Sequence, residues 1–170
     1  RLLATFVHDG LTSNPLPFAV GDAKEAREAE PNNSLAQANR VETPAAVNGR
    51  IQQCGDVDYV VFAAQAGQRL IMEVQARRLD SPLDAILSLF NANGQLLAEN
   101  DDLEDKDRAL LTHHADSRLD YTFPAAGDYV LKLRDVAGQG GEAYAYRLVL
   151  APPRLDYTLL ASPDNPRVGQ

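Results

Sequence analysis

The sequence predicts an all-β protein, an antiparallel, jelly-roll-like β-sandwich with extra strands at both termini. Three observations indicate this class. Short segments carry apolar residues at every second position, turn residues separate these segments, and the one stretch rich in helix formers, 22–39, is interrupted by Pro31. With 170 residues the chain is long enough for one domain with a buried core plus extensions.

The predicted sandwich begins with two strands. The segment DYVVFAA at 58–64 is a short apolar run, and QRLIMEVQAR at 68–77 alternates, which places Leu70, Met72 and Val74 on one face.

The remaining strands follow with turn signals between them. Residues 83–100 are predicted to form two strands around Asn93-Gly94, a strong hairpin signal. Residues 119–135 repeat this strand–turn–strand arrangement around a Pro-Ala-Ala-Gly turn, and 140–151 form a last alternating strand. The side chains that we expect in the core are Leu70, Met72, Val74, Leu87, Leu89, Tyr121, Phe123, Leu131, Leu133 and Leu148.

The two ends differ from the centre. Residues 2–9 and 14–22 contain plausible strands, and the segment DYTLLAS at 156–162 lies between proline-rich stretches. Neither end is long enough to be a domain. The predicted organisation is 1–27 for the last strands of a preceding module plus a linker, 28–151 for the sandwich, and 152–170 for a linker and the first strand of a following module.

Charge and composition limit the function classes. The net charge of −8 and a pI near 4.8 argue against nucleic acid as a partner and are compatible with divalent cations. No apolar run approaches transmembrane length, so we expect no membrane insertion. The single cysteine, Cys54, cannot form an internal disulfide, and we expect it to be a small buried side chain.

The stretch EAEPNNS contains the first candidate cation ligands. Glu28, Glu30 and Asn32 are spaced by two, which places them on one side of an extended chain, and Asn33 follows. A row of oxygens suits a hard cation. The alternative is a polar linker in which the glutamates are solvated and the asparagines cap a turn.

Two aspartates extend this candidate site. Asp56 and Asp58 precede the apolar strand at 58–64, and a sharp turn through Gly55 would bring them beside the first group. Carboxylate and amide oxygens from two chain segments are a plausible calcium shell.

Two other polar clusters are weaker candidates. The acidic run ENDDLEDKD offers Asp101, Asp102 and Asp105 as a second cation site, but it lacks the glycine and the final glutamate of an EF-hand loop. The other is a hydrolase built on His113, His114 and Asp116, although adjacent residues on one short loop rarely converge as catalysis requires and no nucleophile elbow is present.

Five segments follow one another in a characteristic order: EPNNSLAQA, GDVDYVVFAAQAGQRL, SPLDAILSLFNANGQLLAENDD, LDYTFPAAGDYVLKLRD and YAYRLVL. In this order the chain resembles the bacterial pre-peptidase C-terminal (PPC) domain, the module also seen as the collagen-binding domain of clostridial collagenases. The resemblance covers roughly Glu28 to Ala151. The insertion LEDKDRALLTHHADSR and the flanking SNPLPFAVGD resemble large planctomycete surface or secreted proteins, in which such domains stand in tandem with immunoglobulin-like modules.

The resemblance implies a jelly-roll-like sandwich without an active site of its own, carried by an exported multidomain parent whose preceding module is immunoglobulin-like. By position, the calcium ligands of the family's calcium-binding members correspond to Glu28, Glu30, Asn32, Asn33 and Asp58. One departure weakens this correspondence, because Gly55 stands where an acid is expected and Asp56 is only nearby.

The functional hypothesis is therefore a non-catalytic accessory module, secreted, periplasmic or on the cell surface, and stabilised by Ca²⁺. Its expected partners are the neighbouring domains of the parent chain and an extracellular protein or polysaccharide. A carbohydrate-binding sandwich is the first alternative, although the sequence has no Trp and only 6% aromatic residues. The hydrolase described above is the second.

Overall fold

A computed structural model describes residues 2–104 and 113–154 of the chain. The described strands are β1 (Leu2–Ala4), β2 (Val7–His8), β3 (Leu11–Thr12), β4 (Leu16–Phe18), β5 (Lys24–Arg27), β6 (Asn39–Val41), β7 (Ala45–Arg50), β8 (Asp58–Ala64), β9 (Arg69–Gln75), β10 (Ala85–Asn91), β11 (Leu96–Asn100), β12 (Leu103–Glu104), β13 (His113–His114), β14 (Arg118–Thr122), β15 (Gly127–Asp135) and β16 (Ala145–Ala151). Single 3-10 turns occur at Leu35–Gln37 and Arg77–Leu79. Within these described ranges there is no helix with the length and apolarity that a membrane crossing requires.

Two five-stranded sheets pack face to face and confirm the predicted all-β sandwich. Their strand orders are β11-β10-β15-β8-β6 and β14-β9-β16-β7-β5. The central pairings are antiparallel, as expected, but the outer pairs β5–β7 and β6–β8 are parallel. Both parallel strands flank the segment 28–38, which leaves the second sheet after β5 and enters the first sheet at β6. This segment therefore crosses from one sheet to the other along one edge of the sandwich.

The core lies between the two sheets and contains the predicted side chains. All ten predicted core residues contribute to it, and only Tyr121 is half-exposed because it lies on the outer strand β14. Aromatic rings fill one end of the core, where the Phe62 and Phe123 ring centroids are 5.7 Å apart and those of Phe123 and Tyr129 are 4.5 Å apart. Such edge-on and tilted contacts add to the free energy gained by burying these rings.

The two predicted strand–turn–strand units have different outcomes. Strands β10 and β11 form the predicted hairpin, with Gly94 at a φ of 77° in its turn. Strands β14 and β15 do not pair with each other, because β14 joins β9 in one sheet and β15 joins β8 and β10 in the other. The turn between them carries the fully buried Phe123, whose N–H donates to the Gln68 carbonyl at 2.8 Å. The chain thus changes sheets at this buried ring.

The N-terminal residues form a separate hairpin. Strand β1 pairs with β4 and β2 pairs with β3, with Asp9-Gly10 at the tip, so residues 2–18 form one arm outside both sheets. Strand β5, which the sequence assigned to the linker, pairs with β7 at the edge of the second sheet. The predicted C-terminal strand at 156–162 lies outside the described residues.

Candidate metal centre

The crossing segment carries the candidate ligands to the edge of the sandwich. Glu28 directly follows β5, and its N–H donates to the Asn48 carbonyl of β7 at 3.0 Å. Asn39, the first residue of β6, holds the next residue from both sides: its Oδ1 accepts from Ala29 N at 2.7 Å and its Nδ2 donates to Ala29 O at 2.9 Å. The backbone of the segment is thus fixed at both sheets, which positions the side chains between them.

Three carboxylates converge at this edge. Glu28, Glu30 and Asp58 each offer an oxygen within 4.8 Å of the other two. Asp58, the first residue of β8, is 1% exposed, and its Oδ2 has no hydrogen-bond partner although it is shielded from water. An unpaired buried carboxylate oxygen is costly, and either a proton or a cation at this point removes the cost.

Two asparagines complete the oxygen-rich surroundings. Asn32 is fully buried, and one terminal atom of its amide lies 3.1 Å from Asp58 Oδ1, 3.1 Å from Asn33 Oδ1 and 3.2 Å from Glu30 Oε2. In a metal-free site this atom is the nitrogen, whose two hydrogens are shared among the three oxygens. A calcium ion at this point would instead require the amide to present its oxygen, because calcium takes oxygen ligands. Neighbouring ligands about 2.4 Å from one ion and at right angles are roughly 3.4 Å apart, close to these separations.

Tyr146 and Gly49, which no sequence pattern indicated, lie beside Glu28 in the cluster. The Tyr146 hydroxyl, on β16, donates to Glu28 Oε2 at 2.9 Å, while Glu28 Oε1 accepts from Arg50 N at 2.7 Å. A Cβ on Gly49 would collide with Glu28 Oε2 and with the end of the Tyr146 side chain. Glycine at position 49 therefore leaves the space in which the two groups meet.

Burial sets the protonation of the cluster. It raises the pKa of Asp58 to about 8, the Tyr146 hydroxyl opposes this rise, and the charge of Glu28 adds to it. Burial also raises the pKa of Glu30, against the N–H of Asn32, and the charges of Asp56 and Glu28 raise it further. Burial and the neighbouring carboxylates hold the pKa of Tyr146 well above its usual value. The hydroxyl therefore stays protonated and donates to Glu28. The N–H groups of Arg50 and Asn32 donate to Glu28 and Glu30, whereas Asp58 Oδ2 accepts no hydrogen bond.

Asp56, the sixth predicted ligand, is not among the three carboxylates that converge. Its Oδ2 accepts from Gln52 N at 2.6 Å and its Oδ1 accepts from Val57 N at 3.0 Å. These bonds hold the turn between β7 and β8, which passes through Gly55 at a φ of 80°. The expectation that Cys54 is buried is wrong: it lies exposed in this same turn.

The second candidate cation site gains no comparable geometry. Asp101 Oδ1 accepts from Asp102 N at 3.0 Å, a local turn bond, and Asp105 lies outside the described residues. Among residues 2–104 and 113–154, the three-carboxylate cluster is the one group of three or more metal-ligating side chains that converge.

Asp116, a residue of the hydrolase alternative, is a buried structural anchor. It is fully buried, its Oδ1 accepts from Ala76 N at 3.0 Å and Arg77 N at 2.7 Å, and its Oδ2 accepts from Arg78 Nε at 2.6 Å. These bonds fix the chain where it leaves β9. His113 and His114 form β13, which pairs with β12.

Comparison with known proteins gives one relative and several solved structures. No family model matches the chain. A probable subtilase-type serine protease of Deinococcus radiodurans is 31% identical over 110 residues, an alignment that covers 61% of this chain and 14% of the protease. The chain thus spans about a seventh of that relative's length.

Two kinds of solved protein are similar to the chain in structure. The pre-peptidase C-terminal domain of collagenase from Bacillus anthracis has a TM-score of 0.47 and 16% identity, with 66% of this chain and 93% of that domain covered. PliG from Aeromonas hydrophila, a periplasmic inhibitor of g-type lysozyme, has a TM-score of 0.47 and 17% identity, with 67% and 96% covered. The PPC domain, which the sequence resembles, is thus among the solved structures similar to this chain, and the planctomycete type stays a prediction.

Proposed function

We propose that the sandwich is a non-catalytic accessory module of a secreted, periplasmic or cell-surface multidomain protein, and that it is stabilised by one calcium ion. Glu28, Glu30 and Asp58 would hold the ion, with Asn32 and Asn33 beside them. The observation that carries the calcium proposal is the buried Asp58, whose Oδ2 has no hydrogen-bond partner and whose carboxylate converges with those of Glu28 and Glu30. The ion would supply the positive charge that this cluster otherwise lacks.

The donor set favours calcium over other ions. The five side chains offer oxygen only, which is typical of a hard cation and not of zinc or copper sites. Magnesium demands a near-ideal octahedron and usually keeps several waters, whereas calcium accepts carboxylate and amide oxygens from a crowded protein site. Asp58 and Asn32 are buried, so their oxygens would contact the ion directly and not through water.

The location of the cluster defines what the ion would do. Glu28 follows the edge strand of the second sheet, and Asp58 opens a strand of the first sheet. An ion held by both would tie the crossing segment to the two sheets at once. Without it, repulsion among the carboxylates would loosen this segment before the core unfolds.

Two observations support an accessory role. The alignment with the Deinococcus protease covers only 14% of that protein, as expected for one module of a larger chain. The carboxylate of Asp116, which the hydrolase alternative would need, accepts hydrogen bonds from backbone N–H groups and from the Arg78 side chain. Adhesion, spacing or substrate approach for neighbouring domains is the role proposed, with an extracellular protein or a polysaccharide as partner.

The test of calcium binding is a thermal melt of the wild-type chain in calcium and in chelator. An ion that binds only the folded chain stabilises it by about 2.7 kcal/mol at a hundredfold excess over its Kd. Glu30→Gln should lose most of the rise in Tm. Glu42→Gln removes an exposed acid outside the cluster and should keep it. Equal melting temperatures of the wild type in the two buffers would refute the site.

A further inference from the structure

A groove crosses the outer face of the second sheet, on the side away from the core. Its volume is about 1110 Å³, and it lies between residues 17–19 of the N-terminal arm and the strands β5, β7 and β16. One end of the groove reaches Glu28 and Glu30 of the metal centre. Ligand sites commonly measure about 300–1000 Å³, so this groove has room for an extended ligand.

A row of polar side chains, which the strand register aligns, forms the floor of the groove. On successive strands the directly opposed residues are Arg27, Asn48, Arg147 and Gln75. Their neighbours along each strand belong to the core, so side-chain alternation directs this row to the outer face. The row crosses four strands, a width of about 14 Å at the usual strand spacing.

Hydrogen bonds fix the middle of this row. Arg147, which is 7% exposed, donates from Nη1 to Asn48 Oδ1 at 3.3 Å and to Glu25 Oε2. Asn48 Nδ2 donates to the same Glu25 oxygen at 2.7 Å. Because these side chains are already held in place, a ligand would lose little free energy in ordering them.

The N-terminal arm forms one wall of the groove and is anchored at its base. Strand β4 contacts the 3-10 turn that follows β9, and Phe18, more than half exposed, stands at the rim. Asp22 Oδ1 lies 2.6 Å from Arg154 Nη1, an ion pair that fixes the connection between the arm and β5. A Cβ on Gly21 would lie 3.1 Å from Arg147 Nη2, so this connection runs close to the floor. The wall is thus held against the sheet.

Two arginines of the groove offer hydrogen-bond donors to a ligand. Arg27 and Arg50 are exposed, and within residues 2–104 and 113–154 no side chain forms an ion pair or a hydrogen bond with either guanidinium group. They lie on one face of the neighbouring strands β5 and β7, and strand spacing and rise place their Cα atoms about 8 Å apart. Both guanidinium groups can therefore contact the same bound molecule.

The charges in the groove favour a neutral ligand with many hydroxyl groups. Three arginines and four acidic side chains line the groove, and the chain carries a net charge of −8, so a polyanion would be repelled. A hydroxyl group accepts from a guanidinium group and donates to a carboxylate, so it matches both kinds of side chain. The ring of Phe18 adds an apolar surface on which the C–H face of a sugar ring can pack.

A peptide fits this groove less well. The floor lies on the face of a sheet, in which β7 and β16 each pair with a strand on both sides. No free strand edge is available there for a peptide to add to. The floor is also polar, whereas a helix bound in a groove requires an apolar floor.

We propose that this groove binds a neutral polysaccharide, with Arg27 and Arg50 donating to its hydroxyl groups and Phe18 packing against one sugar ring. The inference rests on the proposed accessory role and gives that role a ligand and a surface. It does not depend on the calcium ion.

Affinity electrophoresis of the full chain tests the proposal, in calcium and in gels that contain dextran, galactomannan, xyloglucan or mixed-linkage β-glucan. At least one of these neutral polysaccharides should retard the wild type. Arg27→Ala and Phe18→Ala should each weaken this binding about tenfold, the effect of one lost charged hydrogen bond or ring contact. The matched controls are Arg40→Ala and Leu96→Ala, an exposed arginine and an exposed apolar residue of the first sheet, which should bind as the wild type does.

A third variant fills the groove without removing any contact. Ala145 is exposed, lines the groove and lies opposite Arg50 on β16. Ala145→Trp should weaken binding at least about tenfold while circular dichroism and Tm stay close to those of the wild type. Unchanged binding of this variant would place the ligand elsewhere and overturn the proposal.

Three other outcomes would also overturn the groove proposal: no retardation by any neutral polysaccharide, equal weakening in the control variants, or binding only to hyaluronan or to gelatin. The last would identify an acidic polysaccharide or a peptide as the ligand. The same samples keep the other proposals apart. Reducing sugar released from a bound polysaccharide would refute the non-catalytic role, whereas retardation without a rise of Tm in calcium would refute the calcium site and support the groove.

Discussion

Replacing Asp58 by Asn should change stability in opposite directions with and without calcium. The substitution removes one charge from a cluster of three carboxylates and keeps the shape of the side chain. Its new NH₂ group can donate from the position of Oδ2, the oxygen that has no partner in the wild type. In chelator at pH 8, Asp58→Asn should therefore be more stable than the wild type.

The magnitude follows from the pKa of Asp58, which burial raises from 3.8 to about 8. Between these values the folded chain retains a proton that the unfolded chain has lost. The stability that this proton gives is full below pH 4 and is lost as the pH rises through 8. The free energy of unfolding of the metal-free wild type should therefore fall from pH 5 to pH 8, by an amount on the order of 4 kcal/mol. Asp58→Asn should lose most of this pH dependence.

In calcium the wild type should be more stable than Asp58→Asn. The ion replaces the proton, so the wild type should lose most of its pH dependence between pH 6 and 8 and gain about 2.7 kcal/mol at a hundredfold excess over Kd. Asp58→Asn loses a charged ligand and should gain little.

Urea unfolding followed by circular dichroism, at pH 5 to 8 in calcium and in chelator, measures both effects. The control is Asp128→Asn on the surface. The ion pair with Arg40 lowers the pKa of Asp128, so its replacement should bring no gain in either buffer. If Asp58→Asn were less stable than the wild type in chelator at pH 8, or if calcium left the pH dependence of the wild type unchanged, the electrostatic reasoning would be wrong.

Two further substitutions separate the site from the core. Gly49→Ala places a methyl group where Glu28 meets Tyr146, and should lower the free energy of unfolding by about 1–3 kcal/mol. It should also weaken calcium binding in a calorimetric titration, and an unchanged affinity would contradict the tight packing. Asp116→Asn removes the charge from buried hydrogen bonds, and should lower the free energy of unfolding in urea by about 3–5 kcal/mol. The rise in Tm that calcium causes should be the same as in the wild type. A loss of that shift would link Asp116 to the metal centre.

Strand positions could be predicted from the sequence, but sheet partners could not. Period-two alternation identifies β9, β10 and β15 and the side chains that face the core, because a half-buried strand requires this pattern. The pattern is the same whether the next strand pairs or crosses to the other sheet. For this reason the unit at 119–135 resembles a hairpin in sequence although β14 and β15 lie in opposite sheets.

The candidate site was predictable where its residues are neighbours in sequence. Alternation brings Glu28 and Glu30 to one side, and proximity to an apolar strand indicates Asp58. Asp56 has the same sequence signal, but its oxygens are used by N–H groups of its own turn, which depends on backbone dihedral angles. Tyr146 is 118 residues from Glu28, so only the pairing of β16 with β7 brings them together.

The ion pair between Asp22 and Arg154 has a mechanical consequence. The chain enters and leaves the sandwich at almost one point, so within a longer chain the sandwich would add bulk and almost no contour length. Tension applied at these two points would not stretch the sandwich along its long axis. It would open this corner first, because the load would reach β5 and β16 at the ends that border the ion pair. The sandwich would therefore project to one side of such a chain and present a surface there. Of the roles proposed above, adhesion or substrate approach suits this geometry better than spacing.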